Sequence, residues 1–100
     1  MTNAFLKIFG NSSPMKTLDY LLDQQIDVSV ADVCRGTSLS RKTVDNTLSS
    51  LVNGGIIKKT RIIGKTQMFK IDKKNIISKK LYEINNIILK QQENLLRGKK

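Results

Sequence analysis

Between Arg41 and Asn53 the chain reads RKTVDNTLSSLVN, and its polar residues recur at helical spacing. At about 100° per residue, Lys42, Asn46, Ser49 and Asn53 fall opposite Val44, Leu48 and Leu51, with Thr43, Asp45 and Ser50 beside them. The chemistry on offer there is hydrogen bonding. An amide such as Asn46 presents a donor and an acceptor side by side, Lys42 brings a mobile cation, and Ser49 a short hydroxyl. A helix exposed merely to water would more often carry long Glu–Lys pairs. Lys59, Arg61, Lys65 and Gln67 add a second cationic, hydrogen-bonding set in the segment that follows. Catalysis has no comparable basis. There is no histidine, and the one cysteine, Cys34, has no base near it in sequence and is expected to be a small buried residue. Neither a nucleophile–base pair nor a metal-ligand set can be assembled, so an enzyme, a metal and a cofactor are not expected.

The charge distribution sharpens this reading. The net charge of the 100 residues is +10. Residues 1–40 hold three Lys/Arg and four Asp, a net of −1, whereas residues 41–100 hold fifteen Lys/Arg against four acids, a net of +11. The basic character begins where the polar-faced helix begins. Clustered cations gain affinity for a polyanion by releasing its condensed counterions, which points to double-stranded DNA as partner. No apolar run approaches the roughly 18 residues of a membrane span. The opening MTNAFLKIFGNSSP is too short and wrongly flanked for a secretion signal. With a single cysteine unable to form an internal disulfide, a cytoplasmic protein without membrane association is expected.

The elements needed to present these groups are legible in outline. Asn3 to Phe9, with the apolar-rich run AFLKIF and Gly10 closing it, is expected as a short helix whose Phe5, Ile8 and Phe9 need a surface to cover. Ser13 is the expected N-cap of the next helix, with Pro14 at its first position, where a missing N–H costs nothing. That helix should run to about Gln25, burying Met15, Leu18, Leu21, Leu22 and the nearby Ile26. Residues 27–30 are too short for an independent strand but can add an edge to a hairpin. Ala31 to Gly36 is a short helix, and Thr37-Ser38-Leu39 a tight turn. Ser40 caps the polar-faced helix, Leu39 staples onto Val44, and Asn53-Gly54-Gly55 supplies a left-handed stop.

Ile56–Ile63 and Thr66–Ile71 are rich in β-branched and aromatic residues and flank Gly64-Lys65. A two-residue Gly-X loop suits that hairpin, with a four-residue loop as the alternative. The strand faces do not alternate cleanly and leave the register open; Ile56, Phe69 and Ile71 are the expected inward residues. Asp72 to about Leu96 reads as one long helix with a seam at Ile77, Leu81, Ile84, Ile88 and Leu95, widened by Ile76 and Ile87. A 70-residue core cannot cover such a stripe, so the helix folds back on the N-terminal segment or pairs with a second copy. Arg97 to Lys100 is a basic tail.

Helix, tight turn, second helix and basic hairpin outline a winged helix-turn-helix, mainly α with a β-hairpin wing and a long C-terminal dimerisation helix. FLKIFGNSSPMKTLDYLLD and VADVCRGTSLSRKTVDNTLSSLVNGGIIKKTRIIGKTQMFKI together resemble the archaeal and bacterial winged-helix regulators of the MarR-like, ArsR-like and TrmB-like group. Ser38 stands where that group usually has a turn glycine, and Gly36 where a helix former is expected. The resemblance implies a DNA-binding domain over residues 1–71 and a dimerisation helix and tail over 72–100. It implies a homodimer, and a sequence-specific transcriptional regulator. Lys42, Asn46, Ser49 and Asp45 would reach base edges, while Arg41, Thr43, Arg61 and Lys65 engage phosphate and Lys59 and Gln67 line the wing. Phe5, Ile8, Phe9, Ile77, Leu81, Ile84, Ile88 and Leu95 would form the dimer contact. Two alternatives use the same fold: an architectural or segregation protein with little base preference, and a protein-interaction module, which would ordinarily lack so basic a wing.

Overall fold

In the computed structural model residues 4–96 are described, with their side chains as far as residue 91. The Arg97–Lys100 tail and the side chain of Leu95 lie outside the described residues. In order, the elements are α1 (Ala4–Phe9), α2 (Ser13–Leu22), α3 (Val30–Thr37), α4 (Arg41–Asn53), β1 (Ile57–Ile63), β2 (Thr66–Ile71) and α5 (Ile76–Leu96). The chain is mainly helical, with one antiparallel hairpin. Leu18, Leu21, Val33, Val44, Leu48, Ile57 and Ile71 form the centre of the core.

The second helix starts one residue earlier than expected and stops three earlier. Ser12, in an extended conformation, is the N-cap, accepting the Met15 N–H, and Pro14 falls within the first turn. At the other end Asp23 N–H and Gln24 N–H turn back to the carbonyls of Tyr20 and Leu21, tightening the last turn. The helical stripe therefore ends at Leu22, and Ile26 is left 69% exposed on the connecting segment rather than buried. The early stop leaves the chain to bend at Gln25 and Ile26 and reach Val28. There it exchanges backbone hydrogen bonds with Phe69 (2.8 and 2.7 Å) and adds the anticipated edge to the hairpin.

A capping box opens α3. Ser29 accepts the Asp32 N–H, and Asp32 accepts the Ser29 N–H, at 3.1 and 2.9 Å. The expected difficulty at the turn is real: Ser38 adopts a left-handed φ of 63°. Thr37 Oγ1 bridges this turn, donating to the Val33 carbonyl and accepting the Leu39 N–H. Gly36, by contrast, has a packing role. A Cβ there would lie 2.1 Å from Cε1 of Tyr20, so the ring of α2 occupies the space a side chain would need. The glycine sits in a helix because the neighbouring helix comes that close.

The buried face of α4 is as expected, with Val44, Leu48 and Leu51 joined by Thr47. Gly55 supplies the left-handed residue of the stop, at φ 78°, whereas Gly54 is right-handed. The wing has the two-residue loop. Ile63 pairs with Thr66, and Gly64 alone of the two loop residues has a positive φ, as a II′ turn requires. Its register is interrupted. Lys59 faces Phe69 and Ile62 faces Gln67, so two residues, Thr60 and Arg61, stand opposite Met68 alone. That bulge shifts the phase of β1 and explains why no clean alternation was visible. It also corrects the inward set: Ile57 is buried with Phe69 and Ile71, while Ile56 is only partly buried.

Ile56 contributes its carbonyl instead, which accepts both the Asp72 N–H and the Ser78 hydroxyl at 2.9 Å. Asn75 caps α5 through its side-chain oxygen, so that helix begins four residues later than the sequence suggests.

Replacing Gly36 with Ala should destabilise the chain by about 1–3 kcal/mol, although Ala is the better helix former. In a Tyr20→Ala background the same change should become neutral or slightly stabilising. Urea unfolding of the four proteins of this cycle measures the coupling directly.

Candidate nucleic-acid interface

The polar face of α4 is built from its cap inward. Ser40 Oγ accepts the Thr43 N–H at 3.2 Å and donates to Thr43 Oγ1 at 2.9 Å, which fixes the first turn. Beyond it Arg41, Lys42, Asp45, Asn46 and Ser49 are all exposed. Thr43 is half-buried, and its hydroxyl is engaged with the cap. Arg41 Nε lies 4.0 Å from Asp45 one turn on, a loose pair that aligns the guanidinium along the helix.

The wing lies beside this face. One cleft between them is lined by Asp45, Ser49, Asn53, Lys59 and Gln67. An adjoining one is lined by Ser29, Arg41, Asp45, Lys65 and Gln67. Six of the ten residues singled out from sequence, Arg41, Asp45, Ser49, Lys59, Lys65 and Gln67, are thus gathered around one furrow, with Lys42 and Asn46 exposed on the same helix. Gln67 is partly committed already. Its amide nitrogen donates to the carbonyls of Arg61 and Met68, both at 3.0 Å, and pins the bulge.

Arg61 departs from expectation. Its Nε and Nη2 donate to Asp27 Oδ2 and Oδ1 at 2.9 and 3.1 Å, and Thr60 Oγ1 donates to the same Oδ2 at 2.5 Å. The guanidinium is therefore bonded within the chain and is not a free cation of the wing. The Arg61 and Thr60 hydrogen bonds hold the Asp27 carboxyl below its usual range. Because its folded-state pKa is depressed, this contact stabilises above the ordinary Asp value of 3.8 and loses that contribution as pH falls below it. Asp27 escaped the sequence reading because its partner is 34 residues away and is aimed at it only by the bulge.

A second surface is apolar. Ile76, Ile77, Ile84 and Ile87 on α5 are exposed, as are Ile8 and Phe9 on α1, and Leu81 is half-buried. Two members of the expected seam are used differently. Phe5 is 2% and Ile88 7% exposed, because α1 packs against α2 and α5 and draws both side chains into the chain's own core. No described helix is long and apolar enough to cross a membrane.

Neither a family model nor a curated protein matches this chain. Its fold does match a solved structure, the solution NMR structure of a homodimeric winged helix-turn-helix DNA-binding domain from Mycobacterium bovis, a possible ArsR-family transcriptional regulator. The TM-score is 0.61 over 89% of this chain and 78% of that one, at 20% sequence identity. The chain has a winged helix-turn-helix fold. In it α3 and α4 are the two helices of the motif, and β1 and β2 are the wing.

The integrity of the polar face depends on its cap. Ser40→Ala should cost about 0.5–2 kcal/mol and fray the turn carrying Arg41 and Lys42. Chemical denaturation and amide exchange over residues 41–44 measure both effects.

Proposed function

We propose that this chain is a cytoplasmic, homodimeric, sequence-specific DNA-binding transcriptional regulator. The observation that carries the reading is the exposed polar face of α4 set beside a wing furrow that holds Arg41, Lys59 and Lys65. Such a helix suits the major groove, whose base edges present distinct donor and acceptor patterns. Lys42, Asn46 and Ser49 would meet base edges, with Asp45 holding Arg41 or accepting from a cytosine amine. Arg41, Lys59 and Lys65 would meet phosphate, and Thr43 and Gln67 would hold the two elements in place around them. The excess of +11 over residues 41–100 supports a duplex partner.

The homodimer rests on the apolar surface. Ile76, Ile77, Ile84 and Ile87 run along one side of α5, and contiguous apolar area of this kind marks an association site. Ile8 and Phe9 would extend it. Residues 72–100 then serve assembly, and a two-fold axis would place two copies of α4 on successive turns of one DNA face. The homodimeric state of the Mycobacterium bovis domain supports the same arrangement.

DNA binding should divide into two mutational classes. Asn46→Ala should cost about 1–3 kcal/mol on the preferred site, found by selection from genomic fragments, and much less on random DNA. Lys65→Ala should weaken binding to all sequences alike and flatten the dependence of log affinity on log salt by about one unit per subunit, about two for the dimer. Equal losses on all DNA for the first, together with an unchanged slope for the second, would sink the regulator reading.

The dimer has its own test. Ile84→Asp with Ile87→Asp places charge on residues exposed in the single chain, so the fold survives while association is lost. Sedimentation at micromolar concentration should move from dimer to monomer with unchanged circular dichroism. A parent chain that already sediments as a monomer refutes the assembly.

A further inference from the structure

The Asp27–Arg61 contact places a carboxylate from the segment before α3 against the one arginine of the wing. Three hydrogen bonds converge on it, two from the guanidinium and one from Thr60. The two partners are unequally placed: the Asp27 side chain is 9% exposed and the Arg61 side chain 62%. The acid is thus enclosed by the wing, while the guanidinium keeps an open side toward solvent. Both donors on the wing, Thr60 and Arg61, are the residues of the bulge, so the irregularity in β1 is what aims them at Asp27. The next residue after Asp27 is Val28, whose backbone pairs with Phe69. Carboxylate and backbone together fasten the middle of the wing to the helix-turn-helix.

We infer that Asp27 is an internal stand-in for DNA phosphate: it occupies Arg61, cancels its charge, and positions the wing so that Lys65 is the cation presented at its tip. The inference rests on the DNA-binding reading above. Counterion release depends on the net positive charge brought to the phosphates. A guanidinium bonded bidentately to a carboxylate brings none, even with its remaining N–H groups facing outward. The wing consequently gives up sequence-independent attraction and keeps a fixed angle, which raises the share of affinity decided by α4. Asp27 acts through Arg61 and touches no DNA itself; it is a positioning residue.

The test uses the full chain and a fluorescein-labelled duplex of mixed sequence, with affinity measured across a salt series. Arg61→Ala, which leaves the Asp27 carboxylate unpaired beside the wing, should not steepen the slope of log affinity against log salt. Asp27→Ala should steepen it by about one unit per subunit and tighten binding to mixed-sequence DNA, because Arg61 is released to phosphate. The double variant, Asp27→Ala with Arg61→Ala, should return to the parental slope. Asp27→Asn, which keeps an acceptor for Thr60 while removing the charge, should behave as Asp27→Ala does and covers the case in which alanine impairs folding. A double variant whose slope is flatter than the parental one overturns the inference, since Arg61 would then be a phosphate contact despite its partner. A steeper slope that persists in the double variant also overturns it, because the effect would come from loss of the acid alone. In both of those outcomes the DNA-binding reading stands. A parent chain with no salt-dependent affinity for any duplex overturns the two together.

Discussion

The wing of this protein is tied to the helix-turn-helix by the pair of backbone hydrogen bonds between Val28 and Phe69. A two-stranded hairpin is marginal in water, and this one buries little beyond Ile57, Phe69 and Ile71. The bridge gives β2 a partner on its second side and seats Phe69 over the core. Much else follows from that requirement. The chain leaves α2 at Leu22 and bends at Gln25 and Ile26 to bring Val28 to the hairpin, and Ile26 is exposed on that bend. It must then start α3 at once, which the Ser29–Asp32 capping box allows. Asp32, held below its usual range chiefly by the Ser29 backbone N–H, is ionised for that purpose.

The motif helices are held by tolerances of a different sort. Tyr20 lies where a Cβ of residue 36 would be, so α2 and α3 approach more closely than any side chain larger than hydrogen would allow. Ser38 bears a left-handed backbone in the following turn, and Thr37 Oγ1 satisfies groups on both sides of it. Such strain is kept only where the surroundings over-determine the conformation, and here the packed helices on either side do so. The direction of α4, and with it the aim of Lys42 and Asn46, is set by this turn and by Val44, Leu48 and Leu51 beneath.

What could be read from the sequence was whatever local chemistry determines. The cap at Ser40, the buried stripe of α4, the Gly64-Lys65 loop and the exposed polar face all follow from residues a few positions apart. The failures involve distance along the chain. Arg61 looked like a free wing cation because nothing near it in sequence announces Asp27. Ile56 was preferred to Ile57 because a bulge cannot be seen in a pattern of period two. Phe5 and Ile88 looked like seam residues because their apolarity shows, but not which surface reaches them first. Gly36 and Ser38 looked like departures from the motif, and only the ring of Tyr20 and the hydroxyl of Thr37 account for them.

The carbonyl of Ile56 has a mechanical consequence. It accepts from Asp72 at the exit of the wing and from Ser78, fully buried in the first turns of α5. Hairpin and long helix therefore share one acceptor at the base of β1, and α5 is held a second time about three turns on, where Ile88 is buried in the core. The 21 residues of α5 make a lever about 32 Å long. A tilt of about 10° about that acceptor would displace the far end by roughly 5 Å, one helical pitch, and would have to draw Ile88 out of the core. By the same ratio a displacement of about 5 Å at the tip of α5 corresponds to a rotation of about 10° at its base.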